Sequence, residues 1–283
     1  MISVLILTLD EEINISDCIA SLPWRSDVHV LDSGSSDQTE PLARALDAKF
    51  VVRPFTNYAE QRNAGLALPF AHDWILMIDA DERVTPALAA EIETRIKTAE
   101  ADLGMLRVRR KDMFMGRWLR RSSGYPTWFP RLMRRGMVTV EREINEVYRC
   151  SGRTDELREH LVHYPFNKGM DWWYERHSRY ATAEAEKLLG EERNARLRLG
   201  QLIARDPGAR RAALKRVAYR LPGRPFLTFL YLYVLRLGFL DGAPGYHYAT
   251  MRMAYEVMID SKSAFSRQQD QSQAHLTAPP PRS

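Results

Sequence analysis

Apolar residues in the first hundred positions fall into short runs, each followed by a stripe at helical spacing. Ser3–Leu9, Val28–Leu31, Lys49–Val52 and Trp74–Ile78 read as strands, rich in Val, Ile and Leu. Between them, Ile15, Ile19 and Leu22, then Leu42, Ala45 and Leu46, then the segment Tyr58–Leu68, repeat with helical periodicity. Leu88 to Ile96 forms a further amphipathic stripe, and Gly104–Arg110 alternates apolar with basic residues like a strand with one exposed face. Regular strand–helix alternation predicts an α/β fold, with a mostly parallel sheet covered by helices on both faces.

Beyond this region the pattern changes. Met113 to Arg135 mixes aromatics, glycines and arginines, which suits either a core-covering hairpin or the floor of a sugar-binding pocket. A helix carrying Trp172, Trp173, His177 and Tyr180 follows. From Arg205 to Arg224 seven basic residues face one acidic residue, and the next segment, Phe226 to Leu240, is apolar and aromatic but interrupted by Arg236. That run is too short for a membrane span, and its composition matches an element lying on an anionic bilayer surface. A buried core helix is the competing reading. The polar, proline-ending stretch from Ser266 predicts a disordered tail.

Charge divides the chain. Met1–Gly104 holds 8 Lys and Arg against 18 Asp and Glu, a balance of −10, and the remainder holds 33 against 18, a balance of +15. An acidic first part suits a cation or nucleotide site, and a basic second part suits an anionic partner. Two cysteines, Cys18 and Cys150, form no disulfide framework, and no leader with a basic start and an apolar core is evident. A reducing, cytoplasmic compartment is expected.

The sharpest chemical signal lies in Asp73–Val84. The apolar run Trp74–Ile78 meets Asp79, Asp81 and Glu82 within four positions. Carboxylates crowded where a buried strand leaves a sheet are costly unless a cation or solvent relieves them. Strand ends on that side form the ligand crevice of open α/β sheets, and two aspartates there suit Mg2+ or Mn2+ on a diphosphate. A plain strand-to-helix turn, with Asp81 capping the helix opened by Pro86, is the simpler alternative. The chain has no Gly-x-x-x-x-Gly-Lys loop, no Gly-x-Gly-x-x-Gly after the first strand, no Gly-x-Ser-x-Gly elbow and no zinc-site spacing. P-loop ATPases and dinucleotide enzymes are thereby disfavoured. A lone histidine such as His163 reads first as a hydrogen-bonded structural residue.

Four segments in order carry a family likeness: Thr8-Leu9-Asp10-Glu11-Glu12, Asp32-Ser33-Gly34-Ser35-Ser36-Asp37-Gln38-Thr39, Gln61-Arg62-Asn63-Ala64-Gly65 and Asp79-Ala80-Asp81. Together they resemble glycosyltransferase family 2, inverting sugar transferases of the GT-A fold. Further on, Trp128-Phe129-Pro130-Arg131-Leu132, Asn145-Glu146-Val147, His163-Tyr164-Pro165-Phe166 and Gly238-Phe239-Leu240-Asp241-Gly242 resemble the bacterial branch that includes lipopolysaccharide-core glucosyltransferases. The likeness spans Ile2 to Lys262. It implies residues 1–105 as a nucleotide-sugar-binding half, 106–190 as an acceptor-side half, 191–265 as a basic and apolar helical region, and 266–283 as the tail.

The resemblance also implies roles. Thr8, Glu11, Asp32, Arg62 and Asp79 would contact the nucleotide sugar, with Thr8 using its backbone and Asp32 and Arg62 reading uracil. Asp81, with Asp79, would hold Mg2+ or Mn2+. Glu146 would be the general base, with Glu141, Glu143 and Glu82 as competitors. The implied partners are a UDP-sugar donor with glucose as the expected hexose, a lipopolysaccharide-core or other lipid-linked glycan acceptor, and the anionic inner face of the cytoplasmic membrane; no nucleic acid is expected. Two departures stand out: Asp10 where the family has asparagine, and Asn145 where the branch has histidine. A sugar-nucleotide nucleotidyltransferase and an inactive sugar-nucleotide-binding protein remain as alternatives. A phospho-accepting receiver domain is disfavoured, because the third strand ends in Arg53-Pro54 without an aspartate.

Overall fold

A computed structural model of the protein describes residues 1–142, 146–194 and 223–277. The predicted alternation is realised: β1 (Ser3–Thr8), α1 (Ile15–Ala20), β2 (Val28–Asp32), α2 (Thr39–Arg44), β3 (Lys49–Val52), α3 (Tyr58–Leu66) and β4 (Trp74–Asp79) follow in order. A short β5 (Glu82–Val84) then precedes α4 (Pro86–Lys97). The helix cap is therefore not Asp81. Thr85 takes that place, its hydroxyl accepting from the Leu88 amide at 3.1 Å with Pro86 in the first turn.

The chain continues with β6 (Leu103–Phe114), β7 (Arg117–Trp118), β8 (Trp128–Arg134), β9 (Val138–Glu141), β10 (Val147–Cys150) and β11 (Arg153–His163). The main sheet runs β3-β2-β1-β4-β8-β6-β11-β5, with β7 on β6 and β9–β10 as a separate hairpin. β3, β2, β1 and β4 are parallel, whereas β8 inserts antiparallel between β4 and β6. The sheet is thus parallel in its first half and mixed in its second.

Strand alternation sends neighbouring side chains to opposite faces. One face, with Val4, Ile6, Val30, Leu76, Ile78 and Leu106, packs on α1, α2 and α4. The other, with Leu5, Leu31, Met77, Met105 and Met133, packs on α3 and the hairpin. Gly65 lets α3 lie against β1, since a Cβ there would sit 2.6 Å from Leu5 Cδ2.

Two compact units result: Met1–Arg120 with Gly124–Lys168, and Arg121–Ser123 with the chain from Gly169 onward. Strand β6 runs across the boundary expected near residue 105 and joins β8 to β11.

In the second unit, α5 (Met170–Asn194), α6 (Arg224–Leu230), a π-helical turn (Tyr231–Leu235), a 3-10 turn (Gly238–Asp241) and α7 (Ala243–Thr277) make up the described elements. Helix α7 carries order through Thr277, past the start of the expected tail at Ser266, and residues 278–283 lie outside the described residues. The Lys262 ammonium donates to Ser178 O at 2.6 Å, tying α7 to α5. Gly238 and Gly245 permit close backbone approach, and the buried Asp241 carboxylate accepts from the amides of Arg121 and Ser122 and from the Ser122 hydroxyl. Among the described residues no helix is long and apolar enough to cross a membrane. The segment Phe226 to Leu240 is not a buried core helix either: Phe226, Leu235, Phe239 and Leu240 are all exposed, Leu235 at 74%. Of the basic run from Arg205 to Arg224, only Arg224 falls among the described residues.

Candidate active site

The crevice forms where β1, β2 and β4 end. Asp10 leaves β1 with φ +53, a left-handed conformation that Asp and Asn tolerate better than other side chains, which accounts for an aspartate at a position where asparagine was expected. Residues 10–12 and 35–39 are laced to each other. The Asp10 amide donates to Ser35 Oγ at 2.7 Å, the Ser36 amide to Asp10 Oδ1 at 2.8 Å, the Glu12 amide to Asp37 Oδ2 at 2.9 Å, and the Gln38 amide to Glu12 Oε2 at 3.0 Å.

Asp32 closes β2 and is 1% exposed. Its Oδ1 accepts from the amides of Gly34 (2.8 Å) and Ser35 (2.7 Å), and its Oδ2 from the hydroxyls of Thr8 (2.7 Å) and Ser35. Both expected nucleotide contacts, Thr8 and Asp32, are therefore joined to each other, and the Asp32 carboxylate is saturated by the end of β1 together with its own loop. Glu11 is also engaged: Oε1 meets Lys168 Nζ at 2.6 Å and Oε2 accepts from Asn14 Nδ2 at 2.9 Å. Burial pushes the Glu11 carboxyl up, against the pull of Lys168.

The carboxylate turn after β4 is held by arginines from distant strands. Arg131 on β8 is buried; its Nη2 reaches Asp79 Oδ2 at 2.6 Å and Glu82 Oε1 at 2.8 Å. Glu82, fully buried, also accepts from the Asp79 amide at 3.1 Å and lies 3.5 Å from Arg110 Nη1. With no exposure and two cationic partners, Glu82 is ruled out as an acceptor-facing base. Burial opposes ionisation of Asp79, but Arg131, Arg62 and Arg110 outweigh it and hold the group well below the usual carboxylate range.

Asp81 behaves differently. Its Oδ2 lies 3.2 Å from His163 Nε2, while its buried Oδ1 has no hydrogen-bond partner. His163, at the end of β11, also meets Asp112 Oδ1 through Nδ1 at 2.7 Å. Burial pulls the imidazole down, yet Asp81 and Asp112 raise it to about 9, so it is cationic at neutral pH. Burial raises and the imidazolium lowers Asp81, with a net downward shift. Sequence reasoning gave His163, Asp112, Arg131 and Arg110 no role in the site. The available signal was a set of charged residues within otherwise apolar strands, which must be paired when buried.

The segment Gln61 to Gly65 resolves residue by residue. Gln61 Oε1 accepts from Arg53 Nη1 at 2.8 Å. The Asn63 side chain makes a two-way bond with the Val140 backbone, donating at 2.8 Å and accepting at 2.9 Å, and so fixes α3 to β9. Arg62 donates through Nε to Glu146 Oε1 at 3.0 Å and lies 3.7 Å from Asp79 Oδ1. Arg62, Asp79 and Glu146 are thereby brought together, and Arg62 spends its guanidinium on carboxylates. Tyr148 stands two residues beyond Glu146, and burial pushes its phenol up to about 12, so it stays protonated. Of the competing bases, Glu141 is exposed and pairs with Arg149 at 3.1 Å, while Glu143 lies outside the described residues, as does Asn145.

A hard cation fits this turn at one point: the buried, unpartnered Asp81 oxygen is the type of ligand that Mg2+ or Mn2+ takes. Asp79 is less available than expected, since both its oxygens face arginines. Among the described residues no group of three or more His, Cys, Asp or Glu side chains is arranged to hold a metal ion.

A crevice at the carboxyl ends of parallel strands, lined by ionised carboxylates and fixed arginines, defines the class of nucleotide-handling α/β proteins. Residues 3–152 match the family described as glycosyl transferase family 2, and the chain belongs to that family, with its GT-A fold. A glycosyltransferase of Rickettsia typhi is 39% identical over 93 residues, 32% of each chain. The chain thus spans about a third of the length of the rickettsial relatives it matches. A lipopolysaccharide core biosynthesis glycosyltransferase, LpsC of Rhizobium meliloti, is 28% identical over 215 residues, 73% of this chain and 77% of that protein. Among solved structures, glucosyl-3-phosphoglycerate synthase from Mycobacterium tuberculosis, with Mn2+, UDP and glucosyl-3-phosphoglycerate, aligns at 26% identity over 40% of this chain and 44% of that one. Its TM-score is 0.34, too low to carry a statement about this chain.

Proposed function

We propose that the protein is an inverting, divalent-cation-dependent hexosyltransferase. It moves glucose from a UDP-sugar to a lipopolysaccharide-core or other lipid-linked glycan at the inner face of the cytoplasmic membrane. The observation that carries the reading is the carboxylate turn: Asp81 has one oxygen on an imidazolium and one buried without a partner, beside Asp79 locked in place by Arg131. Asp81 would hold the cation, which when bound neutralises charge on the departing diphosphate. The likeness to LpsC supports the acceptor class, and the exposed apolar residues of the second unit support peripheral membrane contact.

In the proposed reaction Glu146 accepts the proton of the acceptor hydroxyl as its oxygen bonds to the anomeric carbon. The bond from that carbon to the diphosphate oxygen breaks, and its electron pair leaves with the nucleotide, inverting the configuration. Arg62 positions Glu146 and must loosen its grip as the acceptor arrives. Tyr148 remains a hydroxyl donor beside them. Lys168, on Glu11 and on the Leu9 carbonyl at 2.9 Å, fixes the loop that covers the nucleotide.

The test is a thermal-shift panel of UDP, GDP, CDP, ADP and UDP-sugars, each with Mn2+ and with EDTA. Binding to the folded state alone raises the melting temperature. Stabilisation by uridine compounds that vanishes with EDTA is the expected result. No response to any nucleotide would overturn the proposal. The ion pair already occupying Glu146 favours a second reading, a protein that binds sugar nucleotide without transferring it. Donor stabilisation with no product from core oligosaccharide acceptors would select that reading.

A further inference from the structure

Strand β6 carries more cations than its carboxylates can pair. Arg107 meets Glu156, and Arg110 meets Asp112 and Glu82. Arg109 and Lys111 form no ion pair within 4 Å among the described residues, and neither does Arg120 just beyond β7. These three cations converge instead on a chain of aromatic rings. The Arg109 guanidinium lies 5.8 Å from the Tyr125 ring and 5.9 Å from that of Trp128. Tyr125 meets Trp118 edge-on at 4.8 Å, and Trp118 receives Lys111 at 4.5 Å and Arg120 at 5.4 Å. Burial and the neighbouring arginines push the Lys111 ammonium down despite Glu159, so the cluster is short of negative charge.

A second observation is independent of charge. Arg109 Nε and the indole N–H groups of Trp118 and Trp128 are shielded from solvent and have no hydrogen-bond acceptor. Unsatisfied buried donors are costly and rare, and three in one cluster call for an acceptor group. Alternation along β6 puts Arg109 and Lys111 on the face of Met105, which packs with Leu5 and Met77 beneath α3. That is the side from which Arg62 on α3 reaches Glu146.

We infer that Arg109, Lys111 and Arg120, with Trp118, Tyr125 and Trp128, form a subsite for an anionic substituent, phosphate or carboxylate, on the acceptor sugar. The inference rests on the proposed transferase reading and specifies its acceptor. The cations supply attraction, the ring faces seat the sugar, and a small rotation of either indole turns its N–H to the anion. Neutral glycans offer hydroxyl acceptors but no charge to pair with the three cations, and so are disfavoured.

The test titrates the full chain with glucose 6-phosphate, glucuronate, glucose and inorganic phosphate, read by calorimetry and tryptophan emission. A charged sugar is expected to bind at least about tenfold more tightly than glucose and to shift the emission. Arg109→Gln/Lys111→Gln should remove about tenfold of that affinity while leaving the UDP-induced thermal shift unchanged. Arg120→Gln, at an exposed position, should cost about threefold with no change in stability. Equal binding of glucose and the charged sugars, or undiminished affinity in both variants, would overturn the assignment. Inorganic phosphate binding as tightly as glucose 6-phosphate, an adventitious ion only, would overturn it as well. Failure of UDP to stabilise the wild type counts against the transferase reading alone, because the sugar titration does not depend on it.

Discussion

Asp32 ends β2 and Asp81 stands in the turn after β4, two strands away in the same sheet, yet their surroundings are opposite. Asp32 accepts hydrogen bonds from Thr8, Gly34 and Ser35 through both oxygens, from the end of β1 together with its own loop. Asp81 faces an imidazolium on one oxygen and nothing on the other. A carboxylate satisfied by local backbone shapes a loop. A carboxylate left short of partners in a buried place is suited to a ligand, at a cost to stability. On the proposed reading, Asp32 positions the loop and Asp81 takes part in the chemistry.

The comparison breaks most sharply at Asp81. Asp81→Ala is expected to lower turnover about a thousandfold with Mn2+ present, with a modest loss of melting temperature, since it removes an unsatisfied oxygen together with one of the two carboxylates on His163. Steady-state rates and calorimetry on one preparation check both halves, and a large drop in stability would make Asp81 structural. Glu146→Gln should lower turnover at least about a hundredfold while keeping donor stabilisation. Transfer at the wild-type rate would remove Glu146 from the mechanism.

Asp32→Ala should act in the reverse sense. Stranding the Thr8, Gly34 and Ser35 donors is expected to cost about 3 kcal/mol, roughly 10 °C in melting temperature, with UDP affinity falling as the loop loosens. Unchanged stability with lost UDP binding would return Asp32 to direct base reading.

The smallest effect lies at the opposite end of the same strands. Asp27, buried, is held below the usual carboxylate range by hydrogen bonds from Lys49, Ser3, the Ala71 amide and His29, which outweigh desolvation. Desolvation lowers His29 despite Asp27. A depressed pKa means the folded state binds fewer protons, so both contributions are present above the unfolded values and fade in acid. Urea midpoints should begin to slip below about pH 6.5 through His29 and fall further below about pH 4 through Asp27. Asp27→Asn should lessen the second fall, leaving the part carried by Asp79 and Asp81.

The sequence by itself determined the strand and helix order, because apolar periodicity is a local property written every few residues. Strand ends also placed Asp32, Asp79 and Asp81 along one edge of the sheet, whereas Thr8 and Arg62 were picked out only by the family resemblance. Asp32 takes two of its donors from the residues just after it, but tertiary structure decided the ion-pair partners of Arg62, Asp79 and Asp81. Arg62 and Glu146 are 84 positions apart, and Arg131 reaches Asp79 across 52. Those pairings depend on β8 entering antiparallel beside β4. Nor does local sequence separate a saturated aspartate from an unsatisfied one. Asp32 and Asp81 sit in equally polar stretches, and what distinguishes them is the set of donors that folding brings within 3 Å. Charge in a buried site is balanced over space, and the chain's order in space is fixed only when the sheet closes.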